Sequence, residues 1–155
     1  MGEALKLETV TVVVQARGGS FRALDAVDLS AAEGTVFGFL GPNGAGKTTA
    51  IHALLGFIEP TAGCARIFGR DARESIARER IGYLPEHPSL YPFLTGRELL
   101  HAAGRLFGLK GTPLKRRADE WLDRLSLTDA ADRRIGVYSR GMMQRIGLAQ
   151  ALIND

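Results

Sequence analysis

Between Leu7 and Val14, apolar and β-branched residues alternate with polar ones, the period of a strand with one buried face. A weaker alternation over Ala23–Leu29 predicts a second strand. After a turn at Glu33-Gly34, the run Thr35-Val36-Phe37-Gly38-Phe39-Leu40 is short and apolar, and it reads as a buried, central strand. The period then changes. From about Lys47 the apolar residues Ile51, Leu54, Leu55 and Ile58 fall at i, i+3, i+4 and i+7, which predicts a helix. Thr61–Phe68 reads as a strand and Ile81–Leu84 as a short one.

Past Pro85 the texture is helical. Thr95-Gly96-Arg97-Glu98 is a capping box, in which the Thr oxygen accepts from the third backbone N–H and the Glu reaches back. Leu99, Ala103, Leu106 and Phe107 continue that helix on one face. Thr112-Pro113 opens another, with proline at the first helical position. Its expected buried stripe is Leu114, Ala118, Trp121, Leu122 and Leu125, with Arg116, Glu120 and Arg124 on a solvated face. Ser139 reads as the N-cap of a last helix whose apolar side is Met142, Ile146, Ala149 and Ile153. The expected organisation is a β-rich part with the loop–helix core over residues 1–85, a helical part over 86–138, and the closing helix over 139–155.

Composition alters this picture little. At 155 residues, with 45% apolar and 24% charged residues, the chain suits one ordinary globular domain. A net charge of +3 with scattered arginines gives no dense basic block, so no nucleic-acid partner is expected. No run is apolar and long enough to cross a bilayer, and no signal-peptide pattern opens the chain. The single cysteine, Cys64, cannot form an internal disulfide, which fits a reducing compartment. His52, His87 and His101 lack metal-ligand spacing.

The chemistry concentrates in Gly41-Pro42-Asn43-Gly44-Ala45-Gly46-Lys47-Thr48, which fits G-x-x-x-x-G-K-[ST] at every fixed position. Glycines let the backbone curl so that successive N–H groups face phosphate oxygens. The following helix offers free N–H donors and a partial positive charge. Lys47 supplies an ammonium to the β- and γ-phosphates, the Thr48 hydroxyl is placed to ligate Mg²⁺, and Thr49 is a further phosphate donor. A dinucleotide fingerprint fails, because Thr49 stands where its last glycine belongs.

A phosphate loop alone would suit a kinase, a GTPase or a motor. Tyr138-Ser139-Arg140-Gly141-Met142-Met143-Gln144-Arg145 resembles the signature motif of ATP-binding cassette (ABC) ATPases, commonly Leu-Ser-Gly-Gly-Gln followed by Gln-Arg. "ALDAVDLSAAEGTVFGFLGPNGAGKTT" looks like the opening β-subdomain and Walker A of that family, and "IGYLPEHPSLYPFLTGRELL" sits where the family has its Q-loop. The resemblance covers nearly the whole chain. It implies an α/β fold of the P-loop NTPase, ABC ATPase type, with an N-terminal β-subdomain and a helical subdomain. It also implies ATP and Mg²⁺ as cofactors, and a cytoplasmic subunit peripheral on the inner face of the membrane. Its partners would be a membrane-spanning transporter subunit, reached through the Glu86–Leu94 loop, and a second ATP-binding subunit packed head to tail. Each ATP would then lie between the Walker A of one subunit and Ser139, Arg140, Gly141 and Met142 of the other. The alternatives are a soluble ABC ATPase acting on nucleic acid or the ribosome, and a non-catalytic nucleotide-binding module.

Some positions depart from the family pattern. Arg140 replaces the first signature glycine and Met142 the usual Gln. Glu86 replaces the commoner Q-loop Gln; a carboxylate there can still hold Mg²⁺ or a water. The aromatic that stacks on adenine falls at Gly18, with Phe21 as a candidate substitute, although a core position is the simpler account of Phe21. The resemblance also calls for a Walker B strand, a catalytic Glu, a D-loop and a switch His after the signature helix. Asp71, Asp129 and Asp155 do not follow suitable apolar strands. The expectation is therefore a core lacking its Walker B part, with no catalytic residue within the 155 positions and no ATPase activity by itself. Without that neighbour, Val36 to Leu40 would expose an apolar edge.

Overall fold

The computed structural model describes residues 2–16 and 18–154. The chain divides into two compact units, Met1–Glu79 and Arg80–Asp155.

The first unit is built on an antiparallel sheet of order β2-β1-β3-β4, with β1 at Glu3–Ala16, β2 at Gly19–Ala32, β3 at Ala62–Ile67 and the two-residue β4 at Arg70–Asp71. The expected strands at Leu7–Val14, Ala23–Leu29 and Thr61–Phe68 all lie on it. The inward face of β1 is Leu7, Val10 and Val12 rather than a strict alternation. A bulge at Thr9, whose φ is +48°, accounts for the skip. The Thr9 N–H donates to Asp28 Oδ1 at 2.7 Å instead of to the ladder. Ala65 and Ile67 of β3 complete the buried face.

Helix α1 spans Lys47–Leu54 and buries Ala50, Ala53 and Leu54. The expected stripe is corrected here: Ile51 is exposed and Ile58 lies beyond the helix. The cause is Gly56 at φ +69°. The Phe57 N–H donates to the His52 carbonyl and the Gly56 N–H to the Ala53 carbonyl, a Schellman stop.

Two expected strands do not form. Thr35–Leu40 is irregular, and Val36 and Leu40 are 103% and 91% exposed. An apolar run becomes a strand only by exchanging backbone hydrogen bonds with a neighbour, and no described strand lies against this one. Ile81–Leu84, in the second unit, is irregular for the same reason. There the chain instead runs so close to the helix α4 described next that a Cβ at Gly82 would meet the Ala151 carbonyl oxygen at 2.2 Å.

The second unit is three helices around one core: α2 at Gly96–Leu106, α3 at Gly111–Arg124 and α4 at Arg140–Ala151. Leu99, Leu100, Ala103, Ala118, Leu122, Ile146, Ala149 and Ile153 fill it. The capping box at Thr95 and Glu98 is present in both directions. Leu100, not Leu106 or Phe107, completes the buried face of α2. Gly108 at φ +79° ends that helix, leaving Leu106 and Phe107 in solvent on its last turn. Helix α3 starts one residue before Thr112, so Pro113 falls third rather than first, where its missing N–H still has no intrahelical acceptor to lose. Its stripe holds at Leu114, Ala118 and Leu122, with Trp121 and Leu125 half-buried. The turn after α4 covers residues 152–154; Asp155 lies outside the described residues. No described helix is long and apolar enough to cross a membrane.

Candidate functional site

The phosphate loop lies in the first unit. Gly44 and Gly46 take φ of +83° and +85°, the left-handed turns that curl Gly41–Thr48 around its own N–H groups. The Ala45 N–H donates to the Pro42 carbonyl at 3.3 Å and closes the turn. Gly46 is the N-cap of α1 and offers no side chain to its first turn, which carries no acidic residue. The N–H groups of Lys47, Thr48 and Thr49 therefore have no intrahelical acceptor, and the positive end of the helix is uncompensated. Lys47 Nζ donates to the Gly41 and Pro42 carbonyls, each at 2.7 Å, so its ammonium stands over the mouth of the loop. Thr48 is exposed at the head of the helix and Thr49 is half-buried.

Gly46 also abuts β2. A Cβ there would lie 2.6 Å from the Ala23 carbonyl oxygen and 2.7 Å from Leu24 Cδ2. Phe21 stands two residues back along that strand and is 55% exposed. The core account of Phe21 is thus overturned, because more than half of the residue is exposed.

Glu86 and the signature residues belong to the second unit. Ser139 caps α4, its Oγ accepting from the Met142 N–H at 3.3 Å. Ser139, Arg140 and Gly141 are exposed and Met142 is half-buried. A Cβ at Gly141 would meet nothing within 4 Å, so the space beside this helix start is open. The Glu86 side chain is 85% exposed, with His87 Nε2 3.7 Å from its carboxylate.

Four side chains support this region. Gln144 Nε2 donates to the Glu86 carbonyl, tying the signature helix to the Glu86 loop. Arg145 Nη1 donates to the carbonyls of Leu125 (2.9 Å) and Ser126 (3.2 Å) at the end of α3. There a cation meets the negative end of a helix that stops on Ser126, a non-glycine residue at φ +52°. Arg97 bonds Asp119 and Asp132 and, through its backbone N–H, the Ala131 carbonyl. Tyr138 Oη donates to the Ala130 carbonyl at 2.7 Å, and burial raises its pKa, keeping it a donor. The segment leading to Ser139 is thereby fixed to α2 and α3. Tyr138, Gln144 and Arg145 lie in the stretch that resembles the signature; the Arg97 clasp joins positions too far apart to be read from spacing.

Asp71 and Asp129 take no part in either site. Asp71 is held by Arg73, which lowers its pKa to about 2, and Asp129 sits on an exposed 3-10 turn.

A glycine-cradled helix start under a lysine and a Ser-capped, open helix start occur in the right order along one chain. The family model described as ABC transporter matches residues 24–155. The chain belongs to the ABC transporter family. Among curated ABC relatives, it is 44% identical over 154 residues to the daunorubicin resistance ATP-binding protein DrrA2 of Streptomyces coeruleorubidus, covering 98% of this chain and 47% of that protein. It is 40% identical to the Nod factor export ATP-binding protein I of Paraburkholderia xenovorans (strain LB400), covering 88% and 46%. Among solved structures it is similar to the dimeric, post-hydrolysis ATP-binding cassette MJ0796 bound to ADP and Pi, with a TM-score of 0.86, 27% identity, and coverage of 97% of this chain and 69% of that one. The fold is that of an ABC ATPase cassette, as the sequence implied. The chain spans less than half the length of the curated relatives it matches.

Proposed function

We propose that this chain is the ATP-binding part of an ABC transporter subunit, and that Gly41–Thr49 holds the nucleotide's phosphates. The observation that carries the reading is Lys47 over the mouth of a loop whose following helix start has free N–H groups and no acid. The residues fit Mg-ATP. The loop N–H groups and Lys47 would hold the β- and γ-phosphates, and the Thr48 hydroxyl would hold Mg²⁺. Among the described residues no cluster of His, Cys, Asp or Glu could cage a metal alone, so the cation would be held largely by phosphates and water. When bound, Mg²⁺ neutralises charge on the β- and γ-oxygens. Phe21, exposed on the strand that Gly46 abuts, would stack on adenine.

Two relatives are named for daunorubicin resistance and Nod factor export, which supports a transporter subunit over a ribosomal or nucleic-acid ATPase. A membrane-spanning partner would meet the Glu86–Leu94 loop from the cytoplasmic side, and the Glu86 carboxylate would contact Mg²⁺ or a water. The dimeric MJ0796 cassette supports a head-to-tail pair, in which Ser139, Arg140, Gly141 and Met142 of one chain face the nucleotide of the other. Binding and turnover separate in these 155 residues, because neither Asp71 nor Asp129 is free and strand-borne to complete the magnesium shell. Amide hydrogen exchange with and without Mg-ATP tests the site. Protection confined to Gly41–Thr49 and its surroundings is expected; unchanged exchange in that loop at saturating nucleotide contradicts the reading.

A further inference from the structure

The corner between α2 and α3 holds a cleft of about 470 Å³ lined by His101, Arg105, Lys110, Gly111 and Leu114. Several arginines of the chain are paired with carboxylates, among them Arg22, Arg66, Arg73 and Arg97. Arg105 and Lys110 make no ion pair or side-chain hydrogen bond among the described residues. His101 Nε2 is buried without a partner. Arg105 complements the end of α2, but Lys110 is the N-cap of the 14-residue α3, where the helix field repels a cation. No acidic residue in the first turn of α3 offsets it. Two cations, Arg105 and Lys110, thus line one cleft with no carboxylate paired to either among the described residues. Beside them Leu106 is 87% exposed and Phe107 half-exposed. Cations flanking exposed apolar side chains are the pattern of a surface that sits in the headgroup layer of a membrane.

We propose that this corner binds the phosphate of an anionic phospholipid, with Leu106 and Phe107 entering the acyl boundary. The contact is direct and needs neither nucleotide nor a membrane subunit, so it stands or falls apart from the phosphate loop. An acidic protein surface would satisfy the cations but not the two apolar side chains.

The test is co-sedimentation of the full 155-residue chain with phosphatidylcholine vesicles, with and without phosphatidylglycerol. Binding is expected only with phosphatidylglycerol. Arg105→Gln with Lys110→Gln should weaken it about 30-fold, from roughly fivefold per cation near an anionic surface. Arg70→Gln with Arg133→Gln removes the same charge from exposed positions elsewhere and should leave binding within about twofold of the parent. Leu106→Ser, at a side chain with no packing to lose, should weaken binding several-fold without changing charge. Absence of binding to the acidic vesicles, or equal losses in the two double variants, overturns the proposal. Inorganic phosphate provides the remaining arm. If it shifts the His101 ring resonances while vesicles do not bind, the cleft takes a free anion and the lipid assignment is wrong.

Discussion

At Gly46 a single methyl group would be enough to disturb the phosphate loop. The position combines φ +85° with a backbone oxygen 2.6 Å from where a Cβ would stand. Gly44 has nearly the same φ but open space around it. Gly44→Ala should therefore cost only the left-handed strain, about 1 kcal/mol. Gly46→Ala adds a clash with β2 and should cost about 2 kcal/mol or more. Urea denaturation of both variants checks the ordering; equal losses would mean that the loop does not rest on β2. These glycines were legible as a motif, but the difference between them was not, since it depends on which strand passes beneath. Phe21 shows the same limit. Its aromatic character favoured a core position, but on β2 it is 55% exposed.

At the scale of elements, local signals read best. The Thr95 capping box and the Ser139 N-cap formed as their spacing required, because each is settled within one turn of backbone. Thr95→Ala should destabilise the helical unit by about 1 kcal/mol, measured by denaturant unfolding followed through Trp121 fluorescence; no loss would show that the box is redundant. Elements that need distant partners read worst. Thr35–Leu40 and Ile81–Leu84 have strand composition but no described strand to pair with. The expected exposure of Val36 and Leu40 did follow from that reasoning. In the sheet, hydrogen bonds from Cys64, Lys6 and Arg66 lower the Glu8 pKa from 4.5 to about 2. A lowered carboxylate pKa stabilises fully above the unfolded value and is lost as pH falls through the folded one. The stability of the β unit should thus decline below about pH 4.5 and continue down toward pH 2, with a shallower slope in Glu8→Gln. Circular dichroism melts across that range test this; identical slopes would exclude Glu8.

For the whole molecule, order along the chain carried more information than any single element. A phosphate loop followed by a Ser-capped helix placed the chain in its family, although residue-level supports such as Gln144 on the Glu86 carbonyl could not be read in advance. The central claim is that the loop holds nucleotide phosphates through Lys47. Its ammonium already bonds two loop carbonyls, and phosphate oxygens would be stronger, charge-assisted partners. Calorimetric titration of Mg-ATP into the parent chain and into Lys47→Ala tests this most directly. A loss of about 1.5–3 kcal/mol, roughly tenfold to hundredfold in affinity, is predicted for the variant; equal affinities in the two proteins would contradict the account.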